Sequence, residues 1–378
     1  MKTDFHVTAM MSNSFYVNGQ EVRLSRKPKR KTSYQGALGA KEEVTTYIGH
    51  LYKSDIAQGE TFSIQKFGGY VSDLNNDRSK LQQAASAVLK KAEALGFDKL
   101  LQLQKDAWAA TWAMSDITID GDVKAQQGIR FNIFHLNQTY SGQDSRLNIG
   151  PKGFTGEKYG GSTYWDTEAY FIPFYVATKD QEVARNLLKY RYNQLDKAIE
   201  NAEKLGFSGG AALYPMVTMN GAECHNEWEI TFEEIHRNGA IAHAIFNYTT
   251  YTGDKKYLAE YGLDVLIGIA RFWAQRVNWS TNHNKYVMLG VTGPNEFENN
   301  VNNNWYSNYL ANWCLRYTIE SINYVKENNA ADYRRIIDKD ASPDADTEKW
   351  KHIIDNTYIP THLNDEGSVI TQTSFYDN

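Results

Sequence analysis

The sequence contains very little cysteine and no long apolar stretch. Only two cysteines, Cys224 and Cys314, occur among 378 residues, which excludes a disulfide framework. No segment approaches the roughly 20 apolar residues that a membrane-spanning helix needs. The first residues lead into no apolar segment of the signal-peptide type. Together these absences predict a cytoplasmic protein with no membrane contact.

Strongly basic segments and metal-binding motifs are also lacking. The net charge is -5, and the basic run from Arg26 to Lys31 contains Pro28, so we expect a solvated loop and no nucleic-acid partner. His225 lies among glutamates, but no histidine follows it at the four-residue spacing of a zinc helix, and His236 comes only eleven residues later. The sequence therefore predicts neither a metal nor a cofactor.

Apolar residues make up 42% of the chain, enough for a full core, and they follow two different periods along it. Residues 1 to about 72 alternate as strands do, and from Arg78 the spacing becomes helical. Gly96 and Gly206 follow similar sequences and are predicted to end two helices, and Asp254 is predicted to cap another. Helices are predicted at Thr167–Thr178, Gln181–Leu205, Thr231–Thr252, Lys255–Val277 and Asn304–Lys326. Successive helices joined by long polar loops favour a helical toroid over a plain bundle.

The first of three unusual loops contains Trp165 and Asp166 at the start of a predicted helix. An aromatic plane beside a carboxylate can hold a sugar, because the ring stacks on C–H groups while the acid accepts hydrogen bonds from hydroxyls. A plainer structural interpretation is that Asp166 or Thr167 caps the helix. The residues alone leave both interpretations open.

The second loop, from Asn220 to Glu229, fits a polar subsite that reads sugar hydroxyls, or a solvated acidic loop. In the third, Pro294 restricts the backbone immediately before Asn295 and Glu296. A carboxyl held rigidly and buried beside aromatics keeps its proton to a higher pH, because its charged form loses hydration. Such a group can donate that proton to a leaving oxygen. An asparagine-rich turn with a surface glutamate is the alternative.

These three loops resemble one known family. The matching stretches are Tyr164 to Glu168, Glu223 to Gly239 and Gly293 to Glu296, and Gly121-Asp122 with Gln126, Arg130, Phe131, Phe134 and Leu136 also matches. In order and spacing they resemble glycoside hydrolase family 65, the inverting disaccharide phosphorylases that act on α-glucosides. The resemblance covers essentially the whole chain.

The resemblance implies a mostly α-helical fold built around an (α/α)6 barrel. Residues 1–72 are expected to form the C-terminal part of a β-sandwich domain. Residues 73–115 are expected to form a helical linker, and residues 116–378 a catalytic barrel that is incomplete at its C-terminus. Under this interpretation the sequence is a fragment, and it is expected to expose apolar faces and associate. A homodimer is a further expectation.

The resemblance also implies roles for individual residues. Glu296 matches the general acid, and Trp165 and Asp166 match residues that hold the nonreducing glucose. The remaining expected substrate-binding residues are His225, Asn226, Glu227, Trp228 and Asn295. The loop around His225 is most similar to that of members acting on maltose, so the expected reaction is phosphorolysis of maltose with inversion.

Inorganic phosphate is then the co-substrate, and the residues that bind it are expected beyond residue 378. Three alternatives remain open on the sequence. The chain is a phosphorylase acting on trehalose or kojibiose, an inverting α-glucoside hydrolase, or a noncatalytic sugar-binding fragment.

Overall fold

The computed structural model describes residues 5–35, 43–153, 158–225, 228–339, 344–364, 367–370 and 373. The chain divides into two compact units, Met1–Ala110 and Thr111–Asn378. Two sequence-predicted site residues, Asn226 and Glu227, lie outside the described residues. The proposed limits of the β domain, linker and barrel stay a prediction.

The first unit begins with an antiparallel sheet. Strand β1 (Val7–Val17) pairs along its whole length with β5 (Phe62–Ser72), and the short β2 (Gln20–Val22) continues the sheet on the other side of β1. Phe15 and Phe67 bury their rings from these two long strands. The predicted β character of this region is confirmed, with longer strands than the sequence pattern indicated.

A second hairpin corrects one sequence expectation. Strands β3 (Lys27–Gln35) and β4 (Glu43–Leu51) pair antiparallel, so most of the basic run that was expected to be a loop is a strand. Lys27, Pro28 and Lys29 are exposed, as the charge pattern indicated. A two-stranded hairpin leaves outer edges that tolerate both proline and lysine, and backbone pairing does not depend on side-chain charge.

Helix α1 (Leu81–Ser115) follows a short 3-10 turn at Arg78–Lys80. Gly96 interrupts α1 with φ 73° and ψ 165°, values that a residue with a side chain rarely adopts. The predicted stop at Gly96 is therefore confirmed, although a second helical segment continues directly after it. Gly206 has φ 87° just beyond the end of a later helix, which confirms the second stop.

The second unit is mainly helical. Its helices are α2 (Val123–Thr139), α3 (Ile172–Thr178), α4 (Gln181–Tyr192), α5 (Leu195–Glu203), α6 (Trp228–Glu233), α7 (His236–Thr252), α8 (Lys255–Tyr257), α9 (Leu263–Arg276), α10 (Trp305–Asn328), α11 (Ala330–Lys339) and α12 (Asp344–Asp355). Single π-helical turns, Thr167–Phe171 and Leu258–Gly262, precede α3 and α9. Short hairpins are formed by β6 (Asn278–Ser280) with β7 (Lys285–Val287) and by β8 (Thr361–Asn364) with β9 (Gly367–Ile370).

Helix α9 lies in the middle of this unit's core. Every residue from Leu263 to Ala274 is buried, and α9 packs against α5, α7, α10 and α12. A helix surrounded on all sides is apolar around most of its circumference, and the two buried charges of α9 are paired, Asp264 with Arg335 and Arg271 with Asp346. The cap predicted at Asp254 is confirmed, because its carboxyl accepts the Tyr257 N–H at 3.0 Å.

Two helices that the sequence predicts as continuous are broken. The predicted helix Gln181–Leu205 divides at Asn193-Gln194, and the predicted helix Thr231–Thr252 divides at Glu234-Ile235. Apolar periodicity does not reveal a break of one or two residues in a helix. The apolar spacing of the buried face continues in the helix that follows the break. The second break lies at the centre of the candidate site.

Among the described residues, no helical segment has the length and apolar character of a membrane span.

Candidate active site

An ion pair buried within the second unit holds the loop that carries Trp165. Arg191 of α4 donates from Nε to Glu168 Oε1 at 2.7 Å and from Nη2 to Glu168 Oε2 at 3.0 Å, and both side chains are buried. The same Nη2 lies 3.3 Å from the Tyr164 carbonyl oxygen. On its other side the loop pairs its backbone with Thr218 through Thr163, at 2.7 and 3.1 Å. These contacts fix the position of Trp165 and Asp166.

Neither Asp166 nor Thr167 caps the helical turn that follows. Asp166 itself has helical backbone angles, and its carboxyl accepts no hydrogen bond from the start of the turn. The Thr167 hydroxyl lies 2.7 Å from the Ile149 carbonyl oxygen and so is used elsewhere. The capping interpretation is therefore wrong. Burial raises the pKa of Asp166, and the nearby Glu296 carboxylate raises it further.

Trp165 packs against His236, the first residue of α7. The two rings meet edge to face with centroids 4.7 Å apart, and His236 also meets the Tyr306 ring at 5.8 Å. His236 is 1% exposed, and neither of its ring nitrogens has a hydrogen-bond partner among the described residues. Burial lowers the pKa of His236 to about 3, so the ring is neutral at ordinary pH.

In the second loop the acidic side chain with defined contacts is Glu223. Its carboxylate accepts backbone N–H groups from Met216 at 2.6 Å and from Val217 and His225 at 3.1 Å. Glu223 therefore organises the loop rather than facing solvent. His225 is partly buried, and its backbone is tied to this carboxylate. Trp228 opens helix α6, and its backbone alone is described.

The third loop is attached to the end of α6 by Glu233. The Glu233 carboxylate accepts the Thr292 hydroxyl at 2.6 Å and the Asn300 N–H at 3.1 Å, and its carbonyl oxygen accepts the Thr292 N–H at 3.1 Å. Backbone pairing between Val291 and Val301 closes the base of the loop. One glutamate at the α6–α7 break thus holds the segment that carries Glu296.

Gly293 and the asparagines of this loop have specific structural roles. A Cβ atom at Gly293 would lie 2.5 Å from Asn304 Nδ2, and the Asn304 side-chain oxygen caps α10 by accepting the Ser307 N–H at 3.0 Å. Asn300 and Asn303 adopt positive φ values of 48° and 53°, which asparagine tolerates better than most residues. Backbone geometry and helix capping thus explain three of the asparagines in this loop.

Glu296 lines an open cleft of about 670 Å³. The residues lining this cleft are Glu229, Ile230, Glu233, Thr292, Glu296, Asn299 and Asn300. Its volume falls within the roughly 300–1,000 Å³ of small-molecule sites. Glu296 is exposed and the adjacent Phe297 ring is 99% exposed, so the expected burial of this acid beside aromatics is wrong. The physical reason is that residues 294–300 form an outward-facing rim.

The structure brings some of the sequence-predicted residues together and leaves others apart. Asp166 lies within electrostatic range of Glu296, whereas Trp165, Asp166 and His225 do not line the cleft itself. Asn295 is exposed on the rim, where its carbonyl oxygen accepts the Glu298 N–H at 3.2 Å.

Sequence reasoning missed Glu234, which lies at the α6–α7 break. Glu234 is 3% exposed, and its Oε1 atom has no hydrogen-bond partner among the described residues. Burial and the neighbouring Glu296 charge raise the pKa of Glu234 to about 7. The available signal was a Glu-Glu-Ile-His-Arg sequence inside a predicted helix, an unusual concentration of ionisable groups for a buried element.

Arg237 holds the backbone at the break between α6 and α7 through hydrogen bonds to carbonyl oxygens. Its guanidinium donates to the carbonyl oxygens of Glu234 and Thr231, both at 2.8 Å, and to that of Tyr214. The Glu234 and Thr231 carbonyl oxygens are acceptors that the interrupted helix leaves without an intrahelical donor, and Tyr214 belongs to a separate loop. The break is consequently rigid, and it aims Glu233 and Glu234 toward the third loop.

Among the described residues, no group of three or more His, Cys, Asp or Glu side chains is arranged to hold a metal ion.

Comparison with known proteins identifies two family models along the chain. The central catalytic domain of glycosyl hydrolase family 65 matches residues 130–378, and the N-terminal domain of the same family matches residues 1–111.

Individual proteins similar to this chain are named as disaccharide phosphorylases. A maltose phosphorylase from Bacillus subtilis (strain 168) is 53% identical over 79% of this chain and 38% of its own length. An alpha,alpha-trehalose phosphorylase from Thermoanaerobacter brockii is 36% identical over 80% of this chain and 39% of its own length. A solved structure assigned as a kojibiose phosphorylase from the human microbiome superimposes with a TM-score of 0.75 at 29% identity, covering 97% of this chain and 45% of that one. The chain thus spans less than half the length of these relatives, and the predicted mostly helical, (α/α)6-type fold is confirmed.

Proposed function

This chain belongs to glycosyl hydrolase family 65, and we propose that its cleft carries out the phosphorolysis of maltose, with Glu296 as the general acid. The observation that carries the proposal is the position of the Glu296 carboxyl. It lines a cleft of about 670 Å³ and lies within electrostatic range of Asp166. Maltose is preferred as the substrate because of the 53% identity to a maltose phosphorylase.

The proposed reaction needs one protein acid and no protein base. Glu296 donates its proton to the oxygen that bridges the two glucose units. A phosphate oxygen attacks the anomeric carbon from the opposite face, so the α linkage becomes β-glucose 1-phosphate and free glucose leaves. An inverting hydrolase instead requires a second carboxylate, about 6.5–9.5 Å from the first, to activate water. Phosphate is already an anionic nucleophile and makes that carboxylate unnecessary.

Asp166 and Trp165 are assigned to the nonreducing glucose. Asp166 is supported by its partly buried carboxyl, which caps no helix and can accept hydrogen bonds from sugar hydroxyls. Trp165 is supported by its rigid packing on His236, which reduces the entropy lost when a sugar ring stacks on it. The loop of His225 is assigned to the acceptor glucose.

Phosphate dependence provides the direct test. The chain is incubated with maltose, trehalose or kojibiose, with and without phosphate, and β-glucose 1-phosphate and glucose are measured. The proposal expects β-glucose 1-phosphate from maltose only when phosphate is present. Equal glucose release without phosphate would indicate hydrolysis. Sugar binding with no turnover under either condition would indicate a noncatalytic sugar-binding chain.

The role of Glu296 is tested by Glu296→Gln. We expect this change to lower kcat by about 10²–10⁴-fold, the usual contribution of a general acid, while calorimetry shows maltose affinity within about threefold of the parent protein. Glu298→Gln is the matched control, because it removes an exposed carboxyl from the same loop and should retain activity. If both variants retain full turnover, Glu296 is not the acid.

A further inference from the structure

One carboxylate oxygen joins both sides of the loop that carries Glu296. Glu233 Oε2 accepts the Thr292 hydroxyl at 2.6 Å and the Asn300 N–H at 3.1 Å. Thr292 lies four residues before Glu296, and Asn300 lies four residues after it. The proposed acid is therefore the central residue of segment 292–300, and both ends of this segment meet at the same oxygen atom.

Further hydrogen bonds close the base of this segment. The Asn300 N–H also lies 3.1 Å from the Thr292 hydroxyl oxygen, and Val291 and Val301 exchange backbone hydrogen bonds of 2.9 Å one residue farther out. Thr292 is 1% exposed, whereas residues 294–300 are all exposed. A segment that buries so little surface depends on the contacts at its ends for rigidity. The contacts of Glu233 Oε2 with Thr292 and Asn300 are called the loop anchor below.

The backbone of Glu233 is also held in place. Glu233 is the last residue of α6, and its carbonyl oxygen accepts N–H groups from Ile235 at 2.9 Å and from Thr292 at 3.1 Å. Arg237 is 4% exposed and donates to the carbonyl oxygen of the next residue, Glu234, at 2.8 Å. The loop anchor thus connects an exposed loop to a helix break that a buried guanidinium stabilises.

We propose that Glu233 is a positioning residue for the reaction, and that its Oε2 atom fixes the direction in which the Glu296 carboxyl faces the cleft. The inference rests on the proposed function and adds a residue to it. A misplacement of about 1 Å can cost a catalytic group about 100-fold in rate, and Glu296 is exposed, so burial does not prevent such a shift. For this role Glu233 has only to accept two hydrogen bonds, and its charge is not required.

Glu233 also lines the cleft, so a direct role in the chemistry is the competing explanation. Glu233→Ala removes the acceptor, and we expect kcat to fall about 10–100-fold while KM for maltose changes by less than about threefold. Glu233→Gln retains an oxygen that can accept from both donors, so its kcat should stay within about threefold of the parent value. If Glu233→Gln loses as much activity as Glu233→Ala, the charge acts directly and the proposal is overturned.

Glu298→Ala is the matched control for Glu233→Ala. It truncates an exposed glutamate of the same loop, and it should leave both kcat and KM unchanged.

A double-mutant cycle tests whether the effect of Glu233 passes through the loop. Thr292→Val removes the hydroxyl that donates to Glu233 and preserves the shape of the buried side chain. We expect this change to lower kcat by about tenfold. Combined with Glu233→Ala, it should cause no more loss than the larger of the two single changes, because both remove the same contact. Losses that multiply would show that Glu233 acts independently of the loop, which would contradict the proposal.

A further measurement does not depend on turnover. Amide hydrogen exchange in residues 291–301 should be faster in Glu233→Ala than in the parent by about tenfold or more, because Asn300 loses an acceptor and the loop opens more often. Exchange in Glu233→Gln and Glu298→Ala should match the parent. If exchange responds in this way but maltose is not cleaved in the presence of phosphate, the loop anchor stands and the proposed reaction fails. Unchanged exchange in Glu233→Ala would refute the loop anchor.

Discussion

Two carboxylates in one loop show how burial decides the role of a side chain. Glu168 is 1% exposed and is fully engaged by Arg191, whereas Asp166, two residues earlier, is partly buried and caps nothing. The sequence indicated a sugar-binding role for Asp166 without excluding a cap. It carried no signal that Glu168 would pair with Arg191, because that partner lies 23 residues away on another helix.

The Glu168–Arg191 pair leads to a stability prediction. Arg191→Met should lower the free energy of unfolding by about 3–5 kcal/mol, because the buried Glu168 carboxylate loses its partner. The control is Lys197→Met, which breaks an exposed pair with Glu200 and should cost less than about 1 kcal/mol. Urea unfolding measures both changes. Adding Glu168→Leu to Arg191→Met should recover part of the loss, and equal effects of the two single changes would contradict the structural role given to this pair.

At the scale of elements, apolar periodicity predicted where helices lie but not where they break. The predicted helix Thr231–Thr252 is divided at Glu234-Ile235, and the carbonyl groups released there are taken up by Arg237. These hydrogen bonds are made by a side chain next to the break. The periodicity of apolar residues gives no information about them. The site depends on this break, because it directs Glu233 and Glu234 to the loop of Glu296.

The junction between the third loop and α10 gives a second prediction. Gly293→Ala should destabilise the protein by about 1–3 kcal/mol, because the new methyl group would displace the Asn304 side chain that caps α10. It should also reduce kcat more than it raises KM, since Glu296 follows three residues later. Gly128→Ala is the matched control, because nothing lies within 4 Å of its Cβ position in α2. This control should stabilise the protein by about 0.5–1 kcal/mol. Thermal unfolding and maltose turnover distinguish the two changes, and equal stabilities would contradict the close contact.

At the scale of the whole molecule, the site is assembled from three loops and one helix break that lie far apart in the sequence. Short motifs identified the loops, and the resemblance they carry suggested the roles proposed for Trp165, Asp166 and Glu296. Glu234 and His236 were missed because their importance comes from burial among distant segments. Glu234 Oε1 and both ring nitrogens of His236 are buried without a hydrogen-bond partner among the described residues, an arrangement more typical of functional sites than of stable cores.

These two buried groups impose opposite pH dependences on the stability of the molecule. The pKa of Glu234 rises from 4.5 to about 7 on folding, so between these values the folded state binds more protons than the unfolded state and stability falls as pH rises. The pKa of His236 falls from 6.5 to about 3, so there the unfolded state binds more protons and stability falls as pH drops. The two contributions oppose each other between pH 4.5 and 6.5.

Comparing each variant with the parent protein separates these contributions, because every other titrating group is common to both. The free energy of unfolding of Glu234→Gln minus that of the parent should increase by about 3 kcal/mol from pH 4.5 to pH 7, as the parent alone has to ionise a buried carboxyl. For His236→Gln, the free energy of unfolding of the variant minus that of the parent should increase as pH falls from 6.5 toward 3, because only the parent contains the buried imidazole. Urea unfolding across this pH range measures both slopes. A flat difference for Glu234→Gln would mean that folding does not raise the pKa of Glu234 above 4.5.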